Sequence, residues 1–176
     1  TLTRSSAASD VYKRQYELYT VALDMANIQP TDLVFDLYTG TGTIALFMAE
    51  KAKEVVGIEL VPEAIADAKI NAENNDIDNA TFYVGDMKEV LTDKFIQKHG
   101  RPNIIVTDPP REGMHKDVVA QLLALEIPRM VYVSCNSATQ ARDLGLLAEK
   151  YEAIQSRAVD MFLSLIHISE PTRPID

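Results

Sequence analysis

Along the chain, short apolar runs alternate with stretches in which apolar residues return at the helical period. LVFDL, Leu33 to Leu37, is the first such run; it is bounded by Asp32 and by the TGTG turn and predicts a short buried strand. Glu54 to Leu60, Ala80 to Val84, Asn103 to Thr107 and Met130 to Ser134 read the same way, and a further strand is expected near Glu152 to Val159. Helices are predicted between them at about Thr43 to Lys51, Pro62 to Asn74, Met87 to Lys98, Lys116 to Leu125 and Ala138 to Lys150. An amphipathic helix around Glu17 to Ala26 precedes the first strand, and Pro62 suits the first turn of its own helix. Strands alternating with helices predict an α/β fold, a doubly wound parallel sheet covered on both faces. Ligands of such sheets lie beyond the carboxyl ends of the strands, near the point where the strand order reverses. The turns that follow the strands are therefore where chemistry is expected.

Composition narrows the picture. With 176 residues, 47% of them hydrophobic, the chain can bury one ordinary core and is read as one domain. A net charge of −9, from 17 basic against 26 acidic residues, argues against a self-sufficient nucleic-acid binder. If the substrate is nucleic acid, something outside this chain must help to hold it. One cysteine and three scattered histidines leave no disulfide framework and no structural metal site, so a reducing, cytoplasmic location is expected. No apolar run approaches the roughly 18 residues that span a bilayer, and TLTRSSAASD lacks the apolar segment of a secretory signal, so no membrane partner is expected. The ends differ in character from the body: residues 1–15 and 163–176, including SEPTRPID, are expected to be short foreign tails on a domain at 16–162.

The first turn, DLYTGTGTIA, contains Gly40 and Gly42, which allow tight backbone geometry and close approach of a ligand to the following helix. Glu59 ends the second strand, where an acidic residue meets a ribose hydroxyl pair in dinucleotide folds. This turn alone does not separate NAD from S-adenosylmethionine. After the third strand, Asp86 is read either as an acceptor for the exocyclic amine of adenine or as a helix N-cap. After the fourth comes TDPPREGM, where two prolines stiffen the turn and hold Asp108 at the sheet edge with Arg111 close behind. After the fifth, VYVSCNSAT places the lone thiol, Cys135, between a strand end and a helix that Ser137 is expected to cap, where the helix dipole favours a thiolate.

DLYTGTG, VVGIEL, TDPPREG, VYVSCNSATQARDL and VDMF, in this order and spacing, resemble the catalytic domain of the RNA uracil-5 methyltransferase family, over roughly Tyr16 to Phe162. The combination of DPPR with SCNxAT carries more weight than either glycine. The resemblance implies a Rossmann-like class I methyltransferase sheet, expected to lack its last strand. It also implies S-adenosylmethionine as cofactor, ribosomal or transfer RNA as substrate, and no metal. By the same resemblance Tyr38, Gly40, Gly42, Glu59, Asp86 and Asp108 bind the methyl donor or lie beside it, Arg111 contacts substrate, and Cys135 is the nucleophile. The family's usual DLYCG reads DLYTG here, which removes no catalytic group. The family's FFQxN segment, whose Gln binds cofactor, has no match before the first helix. The HVE segment with the catalytic base Glu has none after VDMF, and the SEP context of Glu170 does not allow the role to be transferred.

A thiol answers a chemical need. Carbon 5 of uracil is too weakly nucleophilic to take a methyl group until a thiolate has added at carbon 6. A free cysteine in a strand is, on its own, more often inert core; SCNSAT after a DPPR turn points to the nucleophile. Two other classes remain open at this point: an NAD-dependent oxidoreductase, which shares only the first turn, and an inactive remnant that binds S-adenosylmethionine.

Overall fold

The computed structural model describes residues 2–161, with side chains from Lys13 onward. The strands are β1 (Leu33–Leu37), β2 (Glu54–Glu59), β3 (Ala80–Val84), β4 (Ile104–Thr107) and β5 (Arg129–Tyr132). They form one five-stranded sheet in the order β3-β2-β1-β4-β5, and every pairing is parallel. The strand order reverses between β1 and β4, so the crevice expected of a doubly wound sheet opens at the ends of these two strands.

The helices are α1 (Leu2–Ala26), α2 (Thr43–Ala49), α3 (Pro62–Asn74), α4 (Met87–Val90), α5 (Asp93–His99), α6 (Lys116–Leu125) and α7 (Ser137–Leu147). Successive strand residues point to opposite faces, and this splits the core in two. Val34, Val55, Ile104 and Val106 pack with buried residues of α1, α2 and α3. Phe35, Leu37, Val56, Ile58 and Ile105 pack with α4, α6 and α7. Because both faces of β1 and β4 are covered, their sequences read as nearly unbroken apolar runs.

Gly57 shows how closely the layers approach. A Cβ built there would lie 2.6 Å from the Phe82 ring and 2.9 Å from Thr39 Oγ1. Gly57→Ala is therefore expected to cost about 1–3 kcal/mol through overpacking. Urea unfolding measures it, and an unchanged midpoint would mean that the Phe82 ring yields freely.

Several elements depart from the sequence reading. The helix expected over Met87 to Lys98 breaks into α4 and α5, because Thr92 stops the first and caps the second by accepting from Phe95 N at 3.4 Å. The cap of α7 is Asn136, whose Oδ1 accepts from Ala138 N at 3.1 Å, and Ser137 is the first helical residue. The stretch Thr1 to Gln15, expected to be unpacked, continues α1 as helix from Leu2. It contains no Gly or Pro, and once the amphipathic part nucleates a helix each added residue forms one more hydrogen bond. The strand expected near Glu152 to Val159 is absent: residues 151–161 have no regular structure and Ile154 is 90% exposed. A strand exists only in a ladder, and among the described residues no strand pairs with the outer edge of β5. This segment runs instead toward α1, where Arg14 Nη1 donates to Asp160 O at 2.5 Å. Residues 163–176, Glu170 among them, lie outside the described residues.

Candidate active site

The turns at the carboxyl ends of the strands are fastened to their neighbours by hydrogen bonds that continue the sheet. Gly85 N donates to Glu59 O at 2.8 Å, Asp108 N to Leu37 O at 3.3 Å, and Val133 N to Thr107 O at 2.8 Å. Thr39 N likewise donates to Ile58 O at 3.0 Å. These bonds gather the sequence-predicted residues along one rim.

In the first turn the backbone takes left-handed conformations at Tyr38 (φ 62), Gly40 (φ 54) and Gly42 (φ 82). Such a φ suits glycine and costs an aromatic residue of order 1–3 kcal/mol, a strain that clusters at functional sites. A Cβ on Gly42 would meet Ala68 Cβ and the Phe82 ring at 3.0 Å, whereas one on Gly40 would meet nothing within 4 Å. Gly42 is thus needed for helix packing, and Gly40 leaves space for a ligand to approach the chain. The phenol of Tyr38 is pushed up to about 12, by burial first and then by the Asp86 and Asp143 carboxylates.

Glu59 holds this turn against the end of β2. Its Oε2 accepts from Gly40 N at 3.1 Å and its Oε1 from Val61 N at 3.1 Å. Beside it Leu60 and Val61 are 57% and 47% exposed, an apolar wall that the sequence reading did not single out. Asp86 caps α4, with Oδ1 accepting from Lys88 N at 3.2 Å and Oδ2 3.2 Å from Lys88 Nζ. A carboxylate has further lone pairs, so capping leaves it able to accept from a ligand.

Asp36 is the functional candidate that sequence reasoning missed. It is fully buried in β1. Its Oδ2 accepts from Thr39 Oγ1 at 2.6 Å, its Oδ1 accepts no well-formed hydrogen bond among the described residues, and the Ala45 N–H partly offsets the charge. Burial pushes its carboxyl up to about 7, and Asp108 and Glu59 add to the rise. The signal was present as a single acid inside an otherwise apolar strand. Asp108 is exposed as a residue, yet the protein around its carboxyl raises it to about 6; with solvent at its edge, that shift carries little stability. Asp36 and Asp108 also raise the phenol of Tyr19, behind burial. Two carboxyls thus lie together at the switch point, one sealed inside the sheet and one at its edge.

The fourth and fifth turns meet. Arg111 O accepts from both Asn136 Nδ2 and Thr139 Oγ1 at 3.0 Å. Cys135, adjacent to Asn136, is exposed and free. The guanidinium of Arg111 is exposed and has no hydrogen-bond or ion-pair partner among the described residues. The nucleophile candidate and the DPPR turn are thus brought side by side from strands β4 and β5. Among the described residues no group of three or more His, Cys, Asp or Glu could hold a metal, and no helix is long and apolar enough to cross a membrane.

The description "tRNA (Uracil-5-)-methyltransferase" belongs to a family model that matches residues 11–170. The chain belongs to that family. A Bacteroides thetaiotaomicron protein described as "Uncharacterized RNA methyltransferase" is 57% identical over 156 residues, covering 89% of this chain and 34% of the relative. A Porphyromonas gingivalis protein of the same description is 53% identical over 158 residues, again 89% of this chain and 34% of the relative. The chain thus spans about a third of the length of the relatives it matches. Pyrococcus abyssi tRNA (uracil-54, C5)-methyltransferase, solved in complex with S-adenosyl-L-homocysteine, superposes with a TM-score of 0.64 at 30% identity. That match covers 74% of this chain and 31% of the other. The uracil-5 methyltransferase family shares its fold widely: a precorrin 8w decarboxylase from Methanobacterium thermoautotrophicum has a TM-score of 0.65 at 22% identity, which shows the architecture alone.

Proposed function

We propose that this chain is the catalytic part, over residues 16–162, of an S-adenosylmethionine-dependent RNA (uracil-5-)-methyltransferase that methylates carbon 5 of uridine in ribosomal or transfer RNA. The observation that carries the reading is the seating of the Cys135 turn on the DPPR turn through Arg111 O. A dinucleotide oxidoreductase has no use for that junction. The first two turns support the cofactor: open space over Gly40, the Glu59 carboxylate and the apolar Leu60 and Val61 fit a ligand with a ribose and an adenine.

S-Adenosylmethionine, when bound, supplies an electrophilic methyl group. Cys135 Sγ adds to carbon 6 of the uracil, and the displaced π electrons make carbon 5 nucleophilic. After carbon 5 has taken the methyl, a base removes its proton and the electron pair re-forms the double bond as the thiolate leaves. Tyr38, Gly40, Gly42, Glu59, Asp86 and Asp108 hold the donor. Arg111, with its guanidinium free at the rim, contacts the RNA.

The test is to incubate the chain with S-adenosylmethionine carrying a labelled methyl group and a uridine-containing RNA, then separate protein-linked label from free RNA. Label on carbon 5 of uridine, bound to protein or released, is the expected result. Label on cytidine or on an exocyclic nitrogen would overturn the assignment. Calorimetry checks the cofactor: S-adenosylmethionine binds and NAD does not. Glu59→Ala should weaken that binding roughly 10- to 150-fold, since hydrogen bonds involving a charged group contribute about 1.5–3 kcal/mol. Unchanged affinity would remove Glu59 from the site.

A further inference from the structure

Asp143 is wholly buried on α7, and the mechanism above does not use it. Its Oδ2 accepts from Met114 N at 2.7 Å and from Tyr132 Oη at 2.7 Å. Its Oδ1 accepts from Arg142 Nε at 2.9 Å and Nη2 at 2.7 Å. The same Nη2 donates to Glu112 O at 2.8 Å. One carboxylate thus ties together the turn after β4, the end of β5 and the helix that follows Cys135. The fit is tight: a Cβ on Gly113, where φ is +81, would lie 2.5 Å from both Arg142 Nη2 and Asp143 Oδ2.

Stability alone does not explain this arrangement. Half of the Arg142 side chain is exposed, so its attraction to Asp143 is screened and adds little to stability against the cost of burying the carboxylate. What apolar packing cannot do is fix the register of a backbone turn against two other elements. We propose that Asp143, with Arg142, is a positioning pair that clamps the 111–114 turn to α7 and so holds the Arg111 charge beside Cys135. This rests on the reading of Cys135 as nucleophile and Arg111 as substrate contact. The purpose follows from the chemistry, since thiolate addition places negative charge on the uracil ring and a fixed cation there is worth most if it needs no reorganisation.

The chain's single cysteine makes the test specific. Cys135 is labelled with anionic, cationic and uncharged methanethiosulfonates, and the ratio of the anionic to the cationic rate reports the charge beside the thiol. In the unmodified chain the ratio should exceed that of Arg111→Gln about fivefold, as expected for opposite unit charges near one fixed charge in water. Asp143→Asn should bring it down to the Arg111→Gln value. Removing a carboxylate would by itself raise the preference for the anion, so a fall reports displacement of Arg111. Arg142→Lys, at a side chain 51% exposed, preserves the charge and the fold but loses the forked geometry, and should lower the ratio in the same direction.

A ratio unchanged in both Asp143→Asn and Arg142→Lys, with only a lower melting temperature, would reduce Asp143 to a structural group and overturn the proposal. A ratio unchanged in Arg111→Gln would overturn it as well, because Arg111 would not be the charge that Cys135 feels. The probes need neither RNA nor methyl donor. A chain with the expected ratios but no methyl transfer supports the clamp and counts against the proposed reaction alone.

Discussion

Replacing Cys135 by alanine is expected to eliminate both protein-linked label and 5-methyluridine, a loss on the order of 10⁴-fold or more. The size follows from the role proposed for the thiol. Without addition at carbon 6 no other step makes carbon 5 nucleophilic, and the chain has no second cysteine to substitute. Ser134 lies one residue away, but its hydroxyl is bonded to the Asn136 backbone in both directions, donating to O and accepting from N at 3.0 Å. Binding of S-adenosylmethionine should be unaffected, because the proposed donor contacts lie on the turns after β1 to β4. Calorimetry alongside the transfer assay separates the two. Methylation persisting at a tenth of the original rate would mean that the reaction does not pass through this thiol.

The second large effect concerns Asp36. Burial above all pushes its carboxyl up to about 7 in the folded chain, from the ordinary Asp value of about 4. The folded state therefore binds the proton more tightly than the unfolded state between these values, and stability falls as pH rises through the window. Stability from this group is fully present below about pH 4 and lost above about pH 7, a swing on the order of 4 kcal/mol. Asp36→Asn cannot ionise and should remove most of the slope. The amide leaves one polar group poorly matched, at about 1–3 kcal/mol, so the variant should be less stable than the parent at pH 4 and more stable at pH 8. Urea unfolding across that range should give crossing curves. Parallel curves would place the pH dependence elsewhere.

That an acid with such a cost sits in β1 marks the difference between what the sequence makes legible and what it does not. β1, α3, β3 and α6 match their predicted bounds because each has a sharp local punctuation, such as Pro62 at the start of α3. The residues of the turns were singled out by motif, and the structure seats the Cys135 turn on the Arg111 carbonyl, a junction that the sequence alone does not reveal. Features set by the partner were not legible. The segment Glu152 to Val159 has few β-formers and no strand to pair with among the described residues, and composition cannot supply a neighbour. The Asn136 cap was missed in favour of Ser137 because both residue types serve, and only the backbone angle at Asn136 decides. In the sequence Asp143 is indistinguishable from any helical charge, since its three-way role exists only after β4, β5 and α7 are assembled.

The bonds that run from Gly85, Asp108 and Val133 to the ends of the neighbouring strands bear on the thermodynamics of ligand binding. A loop that orders around its ligand gives up about 1–2 kcal/mol of backbone entropy per residue when it does so. Here these turns are already immobilised as extra rungs of the sheet, so that cost is met when the chain folds. The donor therefore meets a rim with little left to lose, and its affinity is governed by contacts and desolvation. Loosening the rim also means opening the sheet from its carboxyl ends, so proteolytic nicking at these turns should follow global unfolding in place of local breathing.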